Sequence, residues 1–253
     1  MRPRTLILRS AGTNCDGETS YAFEKAGAAV ESIHVNRLLE NPALLSGFQI
    51  LAFAGGFSYG DDIAAGKILA NQIAHHLHDA LHAFVAAGKP VIGICNGFQV
   101  LVKTDLLPGP LAGKTGQTAT LTNNDSGRFI DKWIKLSPRP SKCIWTAGLC
   151  DIELPIAHGE GKFVPVDETA RKDLWDHGQV ALVYNGENPN GSIDDIAGVC
   201  DRTGLVFGLM PHPERHIDPI QHPAWTSNQR ANRLSSEGDG LRIFRNAVER
   251  AAG

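Results

Sequence analysis

The sequence predicts an α/β fold with a central, mostly parallel sheet that is flanked by helices and carries a partly antiparallel elaboration. Short β-rich runs alternate with helical patterns through about the first hundred residues, as is typical of parallel strands joined by crossover helices. After Leu106, short strands separated by polar turns replace that alternation, which favours antiparallel pairing. With 253 residues, 42% of them hydrophobic, the chain can bury one large core, so we predict a single domain over residues 1–253.

The first part of the chain contains four predicted strands and two predicted helices. The strands are Thr5 to Leu8, Ala29 to Val35, Gln49 to Phe53 and Pro90 to Ile94, and the helices are Glu18 to Ala26 and Asp62 to Ala87. Gly27 and Gly88 close the two helices. The second helix is predicted because Ile73, Leu77 and Leu81 recur at helical spacing.

The second part contains short strands, a polar segment and a final helix. The predicted strands lie in IDKWIKLS, GKFVPV, QVALVY, IAGVC and GLVFGLM. Leu241, Phe244 and Val248 form one apolar stripe and predict an amphipathic helix over Gly240 to Ala251. The segment Gln221 to Glu237 is polar and lacks a periodic pattern, so we predict a mobile loop there.

Composition excludes several classes of partner. A net charge of -3 with scattered Lys and Arg residues argues against nucleic acid binding. No apolar run approaches the length of a membrane span and the N-terminus does not resemble a secretory signal, so we expect a cytoplasmic protein that does not bind membranes. Five cysteines without a CxxC pair suggest neither a disulfide framework nor a zinc site, and we predict no metal on this chain.

The stretch VIGICNGFQVL places Cys95 between Gly93 and Gly97, after an apolar strand and before a helix. This arrangement predicts a nucleophile elbow, in which small flanking residues let the strand and the helix approach each other closely. The helix N-terminus favours a thiolate at Cys95, and the backbone N–H of Asn96 would face a developing oxyanion. The competing interpretation is a buried structural cysteine beside ordinary turn glycines.

A cysteine nucleophile needs a base, and the base needs a group that orients it. In GLMPHPERH an apolar strand ends at His212, and Glu214 follows two residues later across Pro213. An extended segment with one fixed φ could hold the imidazole and the carboxylate together. The competing interpretation is a proline-stiffened loop with a His and a Glu on the surface.

Taken together, GICNGFQ and HPE resemble the motifs of the triad-type, or class I, glutamine amidotransferases, whose domains have a flavodoxin-like fold. The stretches GTNCDGETSYAFEKAGA, GGFSYGDDIAAG, PIAHGEGKF and NPNGSIDDIAGVCDRTGLVFGLMPHPERH are similar to the glutaminase subunits of phosphoribosylformylglycinamidine synthase. The resemblance implies that Cys95 is the nucleophile, His212 the base and acid, and Glu214 the orienting group, with Gln99 against the substrate glutamine. The chain departs from the common pattern at Ser10, Ala11 and Ala54, and none of these is a catalytic position.

The resemblance implies hydrolysis of glutamine through a cysteinyl thioester and transfer of ammonia to a synthetase subunit, which acts with or without a small accessory subunit. That synthetase would convert formylglycinamide ribonucleotide to formylglycinamidine ribonucleotide with ATP in purine biosynthesis. The oxyanion would be held by the N–H of Asn96 and by that of Gly56 or Phe57, because adjacent glycines can turn an N–H toward a ligand. A plain β-to-helix turn is the alternative for this loop.

The chain has no GxxxxGKS loop and no metal-binding carboxylate cluster, so we expect ATP and Mg²⁺ on the synthetase and no cofactor on this chain. We also expect weak activity alone and stimulation by the partner.

Several alternatives remain open at this stage. The chain could be a flavodoxin-like cysteine hydrolase or chaperone, a non-catalytic scaffold, or the glutaminase subunit of another amidotransferase. His75, His78 and His82 share a helical spacing and are interpreted as a solvated face. His158 and Glu160 in HGEG belong either to a partner interface or to a glycine-rich turn, and Cys15 is interpreted as a turn cysteine.

Overall fold

The computed structural model describes residues 2–114 and 116–253. The strands in these residues are β1 (Arg4–Arg9), β2 (Ala29–His34), β3 (Ile50–Phe53), β4 (Val91–Ile94), β5 (Ala119–Thr122), β6 (Ile130–Pro138), β7 (Ile152–His158), β8 (Lys162–Pro165), β9 (Val180–Tyr184), β10 (Ile196–Cys200) and β11 (Val206–Leu209). The helices are α1 (Asp16–Ala26), α2 (Val35–Glu40), α3 (Lys67–His76), α4 (His78–Ala86), α5 (Asn96–Lys103), α6 (Glu168–Asp176), α7 (Trp225–Arg230) and α8 (Leu241–Ala252).

Nine of the strands form one mixed sheet in the order β2-β1-β3-β4-β11-β10-β9-β6-β7. The strand pairs from β2 to β11 are parallel, and those from β11 to β7 are antiparallel. Strands β5 and β8 form a separate antiparallel pair. The predicted α/β fold with an antiparallel elaboration is confirmed, and the antiparallel part contributes as many strand pairs to the large sheet as the parallel part.

The turn that contains Cys95 directly follows the central strand β4. All four residues of β4 are buried between β3 and β11, which explains why its sequence is a continuous apolar run rather than an alternation. Because β3, β4 and β11 run parallel, their carboxyl ends lie at one edge of the sheet, where open α/β sheets bind ligands. The segments that follow Phe53, Ile94 and Leu209 therefore meet there.

The final helix packs where its apolar stripe predicts. Phe244 of α8 meets Phe23 of α1 edge to face, with ring centroids 4.9 Å apart. One cluster of buried hydrophobic residues includes both of these rings and side chains from the antiparallel strands. This continuity supports the proposal that residues 1–253 form a single domain.

The predicted helix over Asp62 to Ala87 is wrong in two respects. Residues 62–66 form turns, and α3 starts only after Gly66, whose φ of 71° lies in the left-handed region. At Leu77, with φ -122° and ψ 0°, the backbone leaves helical geometry, so α3 and α4 are separate helices. The apolar spacing continues across this break, so periodicity alone could not reveal it. The three histidines of the motif, His75, His78 and His82, are exposed as predicted.

The segment Gln221 to Glu237 is not uniformly irregular, because it contains α7. His222, just before that helix, packs against Trp133 of β6 with ring centroids 4.6 Å apart, and Glu237 at the far end pairs with Arg245 of α8. The prediction of an irregular segment is therefore wrong at α7. Its mobility stays a prediction.

Elements that we did not predict include β5, β7, α2 and α6. Strand β7 contains Pro155, which argues against a central strand, yet β7 lies at the edge of the sheet, where a missing N–H is tolerated. Helix α6 buries only Ala170 and Leu174, so its apolar pattern is weak, and its start is marked by Asp167, which accepts a hydrogen bond from the Ala170 N–H. In the parts of the chain described above, none of the helices combines the length and the hydropathy that a membrane crossing requires.

Candidate active site

The turn between β4 and α5 holds Cys95 in a conformation that ordinary turns avoid. Its φ of 52° and ψ of -106° are unusual for a residue with a side chain, and such strain is common where a functional group is held in place. A Cβ on Gly93 would come within 2.6 Å of the Gly97 carbonyl oxygen, so only glycine fits there. The predicted tight turn between strand and helix is therefore present in the structure, and the role of Cys95 as nucleophile stays a prediction.

The Cys95 thiol lies at the N-terminus of α5 and is almost completely buried. Its backbone N–H donates to the Leu209 carbonyl oxygen at 2.8 Å, which ties the elbow to β11. The Sγ atom lies 3.7 Å from the Ala157 carbonyl oxygen at the end of β7. The elbow thus contacts β11 through its backbone and the end of β7 through its side chain.

His212 and Glu214 form a buried pair after β11. The Nδ1 atom of His212 lies 2.6 Å from Oε1 of Glu214, and each side chain is at most 2% exposed. The His212 N–H donates to the Pro155 carbonyl oxygen at 2.8 Å, so β7 fixes the backbone at His212. In the described residues, Nε2 of His212 has no hydrogen-bond partner and is available to a reacting group.

The charge environment favours an imidazolium at His212. Burial alone would lower the pKa of His212, but the Glu214 carboxylate and the Cys95 thiol outweigh it and raise that pKa well above its ordinary value. His212 therefore lies close to both Glu214 and Cys95. The structure thus brings together the three residues that the sequence selected from two distant motifs.

Cys15 is more than a turn residue, because its side chain is buried beside this pair. A Cβ on Gly55 would meet Cys15 Sγ at 3.1 Å and His212 Cε1 at 3.0 Å, so the thiol and the ring lie on the same side of this glycine. Arg215 donates from Nη2 to Cys15 Sγ at 3.1 Å. Burial raises the pKa of the Cys15 thiol, and the nearby His212 side chain opposes that shift. Cys15 is therefore a poorer nucleophile than its position suggests.

Cys15, His212 and Glu214 each offer a ligand atom within 4.8 Å of the others. A proton rather than a metal joins His212 to Glu214, because their 2.6 Å separation is a hydrogen-bond length. The absence of a metal on this chain stays a prediction.

The predicted oxyanion loop follows β3. Its backbone hydrogen bonds distinguish the two predicted N–H donors of this loop, Gly56 and Phe57. The Phe57 N–H donates to the Gly12 carbonyl oxygen at 2.9 Å and is therefore not free for an oxyanion. The N–H groups of Gly56 and Asn96 have no acceptor in the described parts of the chain. In this conformation the N–H groups of Gly56 and Asn96 are the available ones, and the oxyanion roles of Gly56, Phe57 and Asn96 stay predictions. The Phe57 ring instead lies at the cavity mouth, 6.3 Å from the ring of Phe129.

A cavity of about 180 Å³ opens at Cys95. Its lining includes Gly56, Phe57, Asp61, Gln99, His158 and Glu160. The volume suits a small metabolite rather than a macromolecule. Larger open grooves exist elsewhere on the described surface, but Cys95 lines none of them.

Gln99 lines this cavity, and its amide also connects two structural segments. Its Nε2 donates to the Glu160 carbonyl oxygen at 2.7 Å, and its Oε1 accepts from Asn96 Nδ2 at 2.9 Å. Each end of the amide retains capacity for one more hydrogen bond. A contact with the substrate is compatible with this arrangement and stays a prediction.

His158 contributes a second buried imidazole to the cavity. Burial, together with the charge on His212, lowers the pKa of His158 to about 4, so the ring is neutral near pH 7. The sequence assigns His158 and Glu160 either to a partner interface or to a glycine-rich turn, and the structure places both at the cavity. Asp61 and Cys15 were not selected as site residues. Only their place in the sequence could have indicated a role, since each residue follows the carboxyl end of a strand.

Comparison with known proteins shows the family to which the chain belongs. A family model described as CobB/CobQ-like glutamine amidotransferase domain matches residues 2–249. The chain is 48% identical to the phosphoribosylformylglycinamidine synthase subunit PurQ of Dehalococcoides mccartyi, covering 97% of this chain and 96% of that protein. It is 45% identical to the subunit of the same name from Treponema denticola, covering 86% and 89%.

Among solved structures, a chain in the structure of PurLQS from Thermotoga maritima superposes with a TM-score of 0.75 at 30% identity, covering 98% of this chain and 99% of that one. A glutamine amidotransferase from Thermotoga maritima, at 15% identity and a TM-score of 0.57, shows the shared fold alone.

Proposed function

The chain belongs to the CobB/CobQ-like glutamine amidotransferases and, within them, to the PurQ subunits of phosphoribosylformylglycinamidine synthase, and we propose that it hydrolyses glutamine at Cys95 and passes ammonia to a synthetase subunit. One observation carries the catalytic part of this proposal. It is the buried hydrogen bond of 2.6 Å between His212 and Glu214, beside a cysteine held in an elbow. A scaffold without activity would have no reason to keep this strained and charged arrangement.

In the first half of the reaction, the Cys95 thiolate attacks the carboxamide carbon of glutamine and forms a C–S bond. The carbonyl oxygen becomes an oxyanion. When the C–N bond breaks, His212 gives the proton on Nε2 to the departing nitrogen, so that ammonia leaves and a glutamyl thioester remains on Cys95. Glu214 stabilises the imidazolium before this transfer and holds the ring in place afterwards.

The oxyanion is stabilised by the two backbone N–H groups that the fold leaves free, those of Gly56 and Asn96. Asn96 is the first residue of α5, so the positive end of that helix dipole acts in the same direction. Gly56 has φ 145°, a conformation that side chains rarely adopt, and a Cβ there would lie 2.6 Å from the Gly12 carbonyl oxygen.

In the second half, neutral His212 takes a proton from water as the water oxygen attacks the thioester carbon. The C–S bond breaks, glutamate is released, and the thiolate and imidazolium are restored. The same side chain therefore acts as acid in one half and as base in the other. No cofactor on this chain enters either half.

The ammonia serves a partner, the synthetase subunit of phosphoribosylformylglycinamidine synthase. We place ATP and Mg²⁺ on that subunit, where formylglycinamide ribonucleotide becomes formylglycinamidine ribonucleotide. The exposed rings of Phe57 and Phe129 at the cavity mouth support coverage by another protein, and ordering of the oxyanion loop would then raise a weak basal activity. We also propose a cytoplasmic location, because all five cysteines are free.

The proposal is tested by reconstituting this chain with the synthetase, ATP, Mg²⁺ and formylglycinamide ribonucleotide. Wild type should form the amidine from either glutamine or ammonium. Cys95→Ala should lose the glutamine route and keep the ammonium route. Amidine formation from glutamine by Cys95→Ala would contradict the role of Cys95. Glutamine hydrolysis by wild type without any amidine formation would mean that the chain serves another amidotransferase.

A further inference from the structure

Two acidic side chains line the cavity at Cys95 and are not used by the reaction steps above. Asp61 comes from the GGFSYGD loop after β3, and Glu160 comes from the HGEG turn after β7. Consecutive backbone amides hold them: the Gly66 N–H donates to Asp61 Oδ1 at 3.1 Å, and the Ala65 N–H donates to Glu160 Oε2 at 3.3 Å. Because these amides are adjacent in the chain, the two carboxylates are held near one another.

Neither carboxylate is neutralised by a cation of the protein. Within the described residues, no Lys, Arg or His nitrogen lies within 4.0 Å of Asp61 or Glu160. Burial lowers the pKa of the Lys103 ammonium, the charges of Glu160 and Asp61 oppose that shift, and Lys103 forms an ion pair with neither. Burial raises the pKa of Asp61, and the charge of Glu160 raises it further. Two partly buried negative charges without a counter-ion favour a cationic ligand.

A third group in the same cavity indicates that the ligand also has N–H donors. Nε2 of His158 is buried and has no partner in the described residues, and the side chain is 3% exposed. Asn124 Nδ2 donates to the carbonyl oxygens of Arg128 and His158, so Asn124 Oδ1 is the acceptor end of the amide. This oxygen lies 3.2 Å from His158 Nδ1, so Nδ1 has the proton and Nε2 is a bare acceptor.

We propose that Asp61 and Glu160 bind the α-ammonium group of the substrate, and that His158 Nε2 accepts an N–H of the same ligand. This inference rests on the proposed glutaminase function. Glutamine has both features that the cavity requires, a cationic ammonium group and a carboxamide with N–H donors. With the carboxamide placed at Cys95, binding of the ammonium at the carboxylates selects an amino acid over a simple amide.

Substrate discrimination tests this subsite. The reconstituted complex is assayed with glutamine and with glutaramate, the same amide without the α-amino group. Wild type should prefer glutamine by about 100-fold or more in kcat/KM, because charge-assisted hydrogen bonds to a desolvated ammonium are among the strong ones. Asp61→Asn and Glu160→Gln should each raise the KM for glutamine by about 10- to 100-fold and leave kcat/KM for glutaramate within about threefold.

Asp62→Asn is the matched control, because Asp62 is the exposed neighbour of Asp61 and should leave both substrates unchanged. An equal loss for glutamine and glutaramate in both cavity variants would assign the carboxylates a structural role and overturn the proposal. No change for either substrate would also overturn it. If wild type hydrolyses neither amide, the proposed function itself fails. If wild type hydrolyses glutamine, but Asp61→Asn and Glu160→Gln retain the wild-type preference for glutamine over glutaramate, only the proposed ammonium subsite is contradicted.

Discussion

Gly97 lies so close to Phe53 that a Cβ on Gly97 would come within 2.0 Å of the Phe53 carbonyl oxygen. Helix α5 therefore touches the backbone of β3 immediately beside the nucleophile. This contact sets the distance between Cys95 and the loop that follows β3, which contains the Gly56 donor. The oxyanion site depends on that distance.

Gly97→Ala should therefore separate α5 from β3 and damage both folding and catalysis. We expect a loss of about 2–4 kcal/mol in the free energy of unfolding and at least a tenfold loss of glutaminase kcat/KM. Urea unfolding and steady-state kinetics measure these quantities. Gly17→Ala is the control, because Gly17 lies in α1 with open space around it, and alanine should be neutral or stabilise by about 0.5–1 kcal/mol. A fully active and stable Gly97→Ala would show that the close contact is dispensable.

Glu214→Gln should change the pH dependence of glutamine hydrolysis. The Glu214 carboxylate is a main reason why the pKa of buried His212 lies above its ordinary value, so its removal should lower that pKa. The imidazolium form then disappears at a lower pH, and the alkaline limb of the rate profile should move to lower pH. We expect kcat to fall by about 100- to 10,000-fold, as for other orienting carboxylates. An unchanged alkaline limb would mean that Glu214 does not control His212.

His158 should make the protein less stable in acid. Its folded pKa of about 4 lies below the ordinary value of 6.5, so the unfolded state takes up a proton first as the pH falls. Stability from this group is therefore present above about pH 6.5 and is lost between pH 6.5 and 4, by about 3 kcal/mol at the acid end. His158→Gln should remove this part of the pH dependence of the free energy of unfolding.

The measurement compares urea unfolding of wild type and His158→Gln at pH 7 and pH 4.5. His75→Gln, at an exposed position, is the control and should keep the pH dependence of wild type. If wild type and His158→Gln lose the same free energy of unfolding between the two pH values, the buried neutral imidazole is not responsible.

The proposed triad could be predicted from the sequence because each member lies in a short contiguous motif. GICNGFQ contains the tight turn as well as the nucleophile, and the two residues of HPE that pair are only two positions apart. The alternation of strands and helices likewise comes from local patterns, which is why the parallel part of the sheet was predicted more completely than β5 and β7.

The rest of the site depends on contacts that are distant in the chain. The Ala65 amide and the Glu160 carboxylate are 95 positions apart, and Arg215 and Cys15 are 200 positions apart. No local pattern relates such residues. The role of the Phe57 N–H was also hidden, because only the fold brings the Gly12 carbonyl oxygen to it. The break between α3 and α4 at Leu77 could not be predicted, because the apolar spacing continues through it.

The most direct test of the account is to trap the acyl-enzyme. The protein is mixed with glutamine in the reconstituted complex, quenched in acid within the first turnovers, and analysed by intact mass and peptide mapping. We expect one glutamyl group attached as a thioester to Cys95, absent in Cys95→Ala and still formed in Cys15→Ser. Ammonia production without an adduct on Cys95, or with the adduct on Cys15, would contradict it.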